Sequence, residues 1–482
     1  PGELGPVDAV TAVDAAASGP RPTQAGGGDP HLKPDSPLPP GAQTHRRVLM
    51  LALPIILSNL SVPLVGLVDT AVMGRLDDPA YIGAVALGAT GFAFLFWAFG
   101  FLRMGTTGMV SQAWGRRDGQ AMRDVIMRNC VLAMVFGGLI LLLRLPLVQL
   151  AAWAFPASEV VETAMRQYYQ IRVFSAPATL LNYVMVGVFV GMQRTSFVLV
   201  AQLVLNLTNA ALSIVFVLGL GWGIEGVAIA SVIAEYLALI CSVLLLRRVL
   251  VGLSGQWPVD SVFSLNRYLP LLSLNADIFV RTLCLIFGFA WFNAKSAGFG
   301  DVTLAGNAVI MQLVHLLAYG LDGFAHAAES LVGGAVGSKR RDEFRWAIRA
   351  TTQWAALTAF AYTVVFAVFG TDMVALLTTI ESVRVQAGEY LLWLIAMPLI
   401  AVWSYQLDGI FVGALRTRQM RNAMVLATGL YLLFSWPAIA WGGNHGLWLA
   451  IAVFYVLRAA TLGWFLRHGD WRGVADGSAN ST

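Results

Sequence analysis

Twelve apolar runs, separated by short turns that carry charges, glycine or proline, fill residues 47–467 of the 482-residue chain. They lie near 47–74, 80–103, 124–150, 160–191, 196–220 and 225–247, then near 265–293, 301–335, 344–370, 383–413, 420–441 and 446–467. A helix rises ~1.5 Å per residue and a bilayer's hydrocarbon core is about 30 Å thick, so runs of this length can span it. Inside lipid such a run satisfies its backbone as a helix. The pattern predicts an all-α polytopic membrane protein with twelve transmembrane helices.

Composition agrees and removes other readings. Hydrophobic residues make up 57% of the chain and charged residues 12%, against about 25% charged in ordinary soluble domains. Mean hydropathy is +0.70. The net charge of +4 does not imply nucleic-acid binding, because the basic residues cluster in short turns. One set of turns holds Arg46, Arg47, Arg116, Arg117, Arg247, Arg248 and Lys339 to Arg341; the opposite set is acidic, with Asp77, Asp78, Glu159, Glu162 and Asp301. The positive-inside rule places the basic set, and with it both termini, in the cytoplasm. Residues 1–44 read as a disordered cytoplasmic tail, 45–248 as an N-terminal six-helix lobe and 249–264 as a cytoplasmic linker. Residues 265–468 then form a C-terminal six-helix lobe, and 469–482 a second tail. Cys130, Cys241 and Cys284 all fall in apolar runs, which implies neither a disulfide framework nor a metal site. No zincin, Walker or nucleophile-elbow pattern occurs, so catalysis and a bound cofactor have no support.

The two lobes repeat. Tyr168, Phe189 and Arg194 return as Tyr390, Phe411 and Arg416, about 222 positions on, and Pro177 returns as Pro398. Arg116-Arg117-Asp118 matches Arg340-Arg341-Asp342, and Gly226 matches Gly446. With six crossings per half, both halves share one topology and are related by a pseudo-two-fold along the membrane normal, with a cavity between them. That is a transporter architecture.

Charges inside the spans are the candidate chemistry. Between Arg47 and Arg75 the only charge is Asp69, in the outer half of the first helix. A carboxylate there costs several kcal/mol unless paired, hydrated or protonated, which makes it a functional-site hypothesis. Pro54 and Pro63 lie in the same helix and free the carbonyls of Met50 and Asn59, so the helix is expected to bend. Asp277 and Arg281, spaced i,i+4, are expected to pair with each other. Asp322 and Asp408 each sit in a Leu-Asp-Gly triplet with no basic residue near them in the helix, and require a cross-helix partner, water or a proton. They either attract a cationic substrate or cap a glycine bend. Glu235 and Glu329 are buried acids or rim residues. Met73, Met185, Met311 and Met397 are candidates for an adaptable apolar substrate cavity.

These residues sit in segments that resemble a known family. LALPIILSNLSVPLVGLVDTAVMGRLDDPAYIGAVALGAT, FLRMGTTGMVSQAWGRRD, YGLDGFAHAAES and YQLDGIFVGALRTRQMRNAM are similar to the DinF-type branch of the multidrug and toxic compound extrusion (MATE) transporters. The resemblance implies two six-helix lobes, alternating access by rocking, and export driven by an H⁺ or Na⁺ gradient. It puts the proton-coupling acid on Asp69, with Asn59, Asn206, Asn209 and Ser213 as polar neighbours. Relatives carry an acid where this chain has Ser213, and a lone carboxylate suits a proton better than a sodium cage. The expected protein is a monomeric, proton-coupled exporter of amphipathic, cationic organic compounds in the bacterial inner membrane. Na⁺ coupling, a flippase for lipid-linked precursors, and a non-pumping channel or sensor are the alternatives.

Overall fold

The computed structural model describes residues 42–75, 80–154, 157–259, 262, 264–469 and 471. The predicted tails fall almost entirely outside the described residues. The N-terminal lobe consists of α1 (Ala42–Met73), α2 (Ala80–Ala98), α3 (Phe101–Arg116), α4 (Gly119–Leu142), α5 (Arg144–Ala154), α6 (Glu159–Arg172), α7 (Ala176–Gly191), α8 (Thr195–Ser213) and α9 (Gly223–Leu250). The C-terminal lobe consists of α10 (Leu269–Ala297), α11 (Asp301–Gly337), α12 (Arg341–Leu377), α13 (Glu381–Glu389), α14 (Leu391–Gly413) and α15 (Thr417–His468).

Several of these helices are halves of one crossing. α2 and α3 meet at Phe99-Gly100, and α6 passes into α7 through a 3₁₀ turn at Val173–Ser175. Pro177 falls in the first turn of α7, where its missing N–H costs nothing. α13 meets α14 at Tyr390, which caps both. In the other direction, α15 would extend about 78 Å as one straight helix, far beyond a bilayer. It turns back at Gly443, whose φ of 54° and ψ of −129° lie outside the helical region. The two arms then meet so closely that a Cβ on Gly446 would sit 1.8 Å from the Ala438 carbonyl oxygen. Among the described residues eleven helices are long and apolar enough to cross a membrane, and the turn at Gly443 makes the last of them two crossings, twelve in all.

The repeat is written into the backbone. Among the described residues four non-glycine residues have positive φ: Arg117, Gln193, Lys339 and Leu415. Arg117 pairs with Lys339 and Gln193 with Leu415, each at the 222-position offset. Each ends a helix in the same way, with the next residue's N–H reaching back five positions, as in Asp118 to the Ala113 carbonyl at 3.0 Å and Arg340 to the Ala335 carbonyl at 3.1 Å. This corrects the alignment of the basic turns. Asp118 corresponds to Arg340, not to Asp342, because helix-end geometry and not the local run of arginines sets the register.

Large apolar side chains divide between core and lipid. Trp448, Tyr431, Tyr455 and Phe292 are fully buried, whereas Leu142, Leu376 and Trp441 are largely exposed. In water such exposure would be costly; lipid solvates it. Met73, Met185, Met311 and Met397 are buried in the packed core.

α11 is the element that joins the lobes, packing on α1 and α3 as well as on α14. Glycines set how near it comes. A Cβ on Gly115 would lie 2.1 Å from the Gly334 carbonyl oxygen, and one on Gly337 would lie 2.0 Å from the Gln112 carbonyl oxygen. Gln112 Nε2 donates to the Gly413 carbonyl at 3.1 Å, and at the same end Trp354 Nε1 donates to His45 Nδ1 at 3.0 Å. Inter-lobe contacts run from this basic end up to Asn59, whose Nδ2 donates to the Tyr319 carbonyl at 3.3 Å, and to Trp97, stacked on Phe289. The conformation is closed on its basic side.

Candidate functional site

Asp69 lies two turns beyond Pro63 on α1, half-buried. α8 brings Ser213 to it, and the Ser213 hydroxyl donates to Asp69 Oδ1 at 3.1 Å. The nearest cation is Arg172, from the end of α6, which acts on Asp69 through space. Arg172 itself lies 3.6 Å from Glu235 of α9, packs over the Phe92 ring and donates to Ser175. Glu235 is buried and accepts from Asn182 Nδ2 at 3.0 Å. The N-terminal lobe therefore sets one half-buried guanidinium between two acids.

α1 runs unbroken through Pro54 and Pro63. The carbonyl that Pro54 deprives of its helical donor, on Met50, accepts from the Thr195 hydroxyl at 3.3 Å, so a neighbouring helix repairs the loss.

The other expected neighbours of Asp69 sit elsewhere. Asn206 donates to Ser61 at 2.6 Å, and Asn209 donates to Ser231 at 2.8 Å. Asn59 reaches across to the other lobe. Of the four named, only Ser213 touches the acid, because its position ends α8 at the depth of Asp69. Arg172, Glu235 and Asn182 complete the site instead. An arginine within a stretch that must cross the membrane is a signal that sequence reading can use, and here it was available at Arg172.

In the C-terminal lobe the expected pair of Asp277 with Arg281 is not formed. Asp277 pairs with Arg421 at 2.6 Å and accepts from Thr417 at 3.1 Å. Arg281 instead pairs with Asp408, which also takes Arg458 at 2.7 Å, both on Oδ2. Helical spacing permits an i,i+4 pair, but α14 and α15 offer each charge a partner of better geometry. Asp408 does acquire the cross-helix partner it required, twice over. It is 6% exposed between two guanidiniums, so it is not a receptor for a cation. The C-terminal lobe is the electrostatic converse of the other, one acid between two arginines.

Where the lobes meet, Arg103 of α3 faces His326 and Glu329 of α11. Arg103 Nη1 is 3.3 Å from Glu329 Oε2 and 3.4 Å from His326 Nδ1, and His326 Nδ1 is 3.4 Å from Glu329 Oε1. Glu329 is 2% exposed, which places it in the interior and not at the rim. One turn away Asp322 is half-buried, within electrostatic reach of His326, Arg103 and Arg281. Of the acids in this region it is the one without a hydrogen bond or ion pair among the described residues.

No group of three or more His, Cys, Asp or Glu residues has the arrangement of a metal site among the described residues. The polar geometry instead consists of titratable groups at lobe centres and at the lobe junction, which suits proton binding and charged-group recognition during a change of conformation.

Comparison with known proteins fits this geometry. The MatE family model matches residues 54–215 and 278–436, one segment in each lobe. The chain is 40% identical over 427 residues to the DNA damage-inducible protein F of Escherichia coli K12, covering 87% of this chain and 92% of that protein. It is 25% identical over 459 residues to the chloroplastic protein DETOXIFICATION 44 of Arabidopsis thaliana, covering 91% and 86%. Among solved structures, a MOP superfamily transporter from Pyrococcus furiosus superposes with a TM-score of 0.80 at 18% identity, covering 88% of this chain and 95% of that one. A multidrug resistance MATE family transporter in an outward-facing conformation superposes with a TM-score of 0.79 at 19% identity, with the same coverage.

Proposed function

The chain belongs to the MatE family of membrane transporters, and from that premise we propose that it is a proton-coupled antiporter exporting amphipathic, cationic organic compounds. The observation that carries the proposal is Asp69: a half-buried intramembrane carboxylate held by one hydroxyl, on a helix with two prolines. Both termini lie in the cytoplasm, and the working unit is a monomer, since one chain supplies both lobes. A multidrug resistance protein and the DETOXIFICATION proteins among its relatives support an efflux role.

The cycle follows from charge. With the lobes closed on the basic side, a proton arriving from the acidic side neutralises Asp69. That removes an intramembrane charge and weakens the hold of Ser213 on Oδ1. The outer part of α1, beyond Pro63, is then free to repack, and a bound cation loses its counter-charge and leaves. After the lobes rock, Asp69 releases its proton to the cytoplasm and the cation site is restored. A cation entering from the cytoplasm meets Asp322 at the junction and Asp69 deeper in the N-terminal lobe. A proton biases the conformations only through a difference in proton affinity between them, about 1.4 kcal/mol for each pH unit.

A sodium site would need several oxygen ligands, whereas Asp69 has one hydroxyl partner. The test is direct competition. Addition of a lipophilic cation to purified protein in weakly buffered, sodium-free solution is expected to release protons, and Asp69→Asn to abolish the release while the protein stays folded. Undiminished release from the variant would remove Asp69 from the coupling step.

A further inference from the structure

The triangle of Arg103, His326 and Glu329 cannot satisfy all three of its edges at once. Arginine has donors only and an ionised carboxylate has acceptors only. The Arg103–Glu329 edge is therefore compatible with any state of the histidine. The other two edges converge on one atom, His326 Nδ1, at 3.4 Å from Arg103 Nη1 and 3.4 Å from Glu329 Oε1. Without a proton, Nδ1 accepts from Arg103 and opposes the Glu329 oxygen. With a proton, Nδ1–H donates to Glu329 and opposes the guanidinium. One proton decides which lobe the ring binds, because Arg103 belongs to the N-terminal lobe while His326 and Glu329 belong to the C-terminal lobe.

We propose that His326 is a second protonation site, which latches the cytoplasmic side shut when neutral, with its one proton on Nε2 and Nδ1 accepting from Arg103, and releases it when a second proton occupies Nδ1. In the neutral state Arg103 is tied to α11 through both His326 and Glu329. Proton uptake turns the histidine edge from attraction into repulsion between two cations and directs Glu329 toward its own helix. Immediately toward the cytoplasm the lobes touch through backbone, with Gly115 on Gly334 and Gly337 on Gln112. Such a contact carries no side chain of its own, so once the triangle loosens the lobes are held here by the hydrogen bonds of Gln112 to Gly413, Gln193 to Ser330 and Trp354 to His45. The sign agrees with an exporter, in which the protonated carrier must open inward.

Other titratable and charged groups lie around the junction. On α11 itself these are Asp322, Glu329 and Tyr319. α10 contributes Arg281, and α14 and α15 contribute Tyr405 and Tyr455, all coupled to Asp322. Tyr183 of α7 faces Arg103, and Tyr362 of α12 lies against Gly320. α1 brings no titratable residue between Arg47 and Asp69. Three arginines, Arg103, Arg281 and Arg458, balance the three acids Asp322, Glu329 and Asp408, so a proton on His326 is an excess charge at the junction.

This inference rests on the proton-driven reading of transport, but its test reads the gate and not the flux. Spin labels placed at Arg248 and Arg345, exposed at the cytoplasmic ends of the two lobes, report gate opening in sodium-free nanodiscs. Between about pH 8 and about pH 5.5 the open fraction is expected to rise at least about threefold in the parent protein. Asp69→Asn removes the other proton site and should keep the part of that rise that His326 drives. His326→Gln added to Asp69→Asn should lose that part and stay closed, because a glutamine amide accepts from Arg103 and donates to Glu329 at the same time. If the double variant does not fold, Arg103→Gln in the same background serves instead, with the gate already loosened at about pH 8 and no longer responsive. A double variant whose gate opens with acid as Asp69→Asn does, a rise that disappears in Asp69→Asn, or a parent gate indifferent to pH would each overturn the proposal. Failure of the Asp69 reading shows separately, as proton release that survives Asp69→Asn.

Discussion

At the scale of single residues, the repeat shows how one lobe acquired chemistry that the other lacks. Shifting Asp69 and Ser213 by 222 positions gives Trp291 and Ser435, and these two are bonded as well, with Trp291 Nε1 donating to the serine at 3.1 Å. The scaffold of the contact is kept and the acid is replaced by an indole, over which Lys295 sits at 4.5 Å. Of these two equivalent positions, the carboxylate is found in the N-terminal lobe. In the C-terminal lobe, Asp408→Asn leaves Arg281 and Arg458 facing each other without a counter-charge. Breaking a buried ion pair in this way costs about 3–5 kcal/mol. Thermal unfolding in detergent is expected to show a large loss, with every substrate affected alike. Asp277→Asn should cost less, since its partner Arg421 is a third exposed and screened by solvent. A stable Asp408→Asn protein that had lost only cation binding would restore the substrate role for Asp408. Sequence alone singled out Asp277, Arg281 and Asp408 but paired Asp277 with Arg281, and it did not supply the partners Arg421 and Arg458. Spacing along one helix reports what a charge can reach on its own helix, and nothing about what α14 and α15 bring to it.

The helices themselves were far more legible. Apolar length located every crossing, because lipid admits no other way to satisfy so much backbone. The turn at Gly443 was visible only as a boundary between two apolar runs, and the backbone then bends at a glycine where a Cβ would be strained. The pairing of α3 with α11 was harder to foresee. Small residues such as Gly333, Gly334 and Gly337 signal close approach, without naming the partner. The structure supplies it and makes a prediction. Gly115→Ala places a methyl group 2.1 Å from the Gly334 carbonyl oxygen, and backbone on both sides leaves nothing flexible to yield. The basic side should be held apart. A cysteine at Gln112, in a background lacking Cys130, Cys241 and Cys284, is expected to react about tenfold faster with a polar thiol reagent when Gly115→Ala is present, a shift equivalent to about 1.4 kcal/mol against closure. Equal reactivity would mean that the lobes close without this contact.

At the scale of the molecule, three polar clusters divide the work. The N-terminal lobe carries the half-buried acid, the C-terminal lobe carries one acid held by two arginines, and the junction carries the triangle for which we propose a proton switch. The repeat and the composition made the two-lobe plan legible, and Asp69 stood out as the only charge in the first crossing. The junction did not, because Arg103 and Glu329 are separated by more than two hundred positions and each alone reads as an isolated charge. The central claim is that Asp69 couples a proton gradient to export. Proteoliposomes loaded with a fluorescent lipophilic cation and given either a ΔpH or a ΔNa⁺ test it most directly. The account predicts flux driven by ΔpH in the parent protein, no such flux in Asp69→Asn, and none driven by ΔNa⁺ in either. ΔpH-driven flux at the parental rate in Asp69→Asn, or flux driven by ΔNa⁺ without a pH gradient, would contradict it.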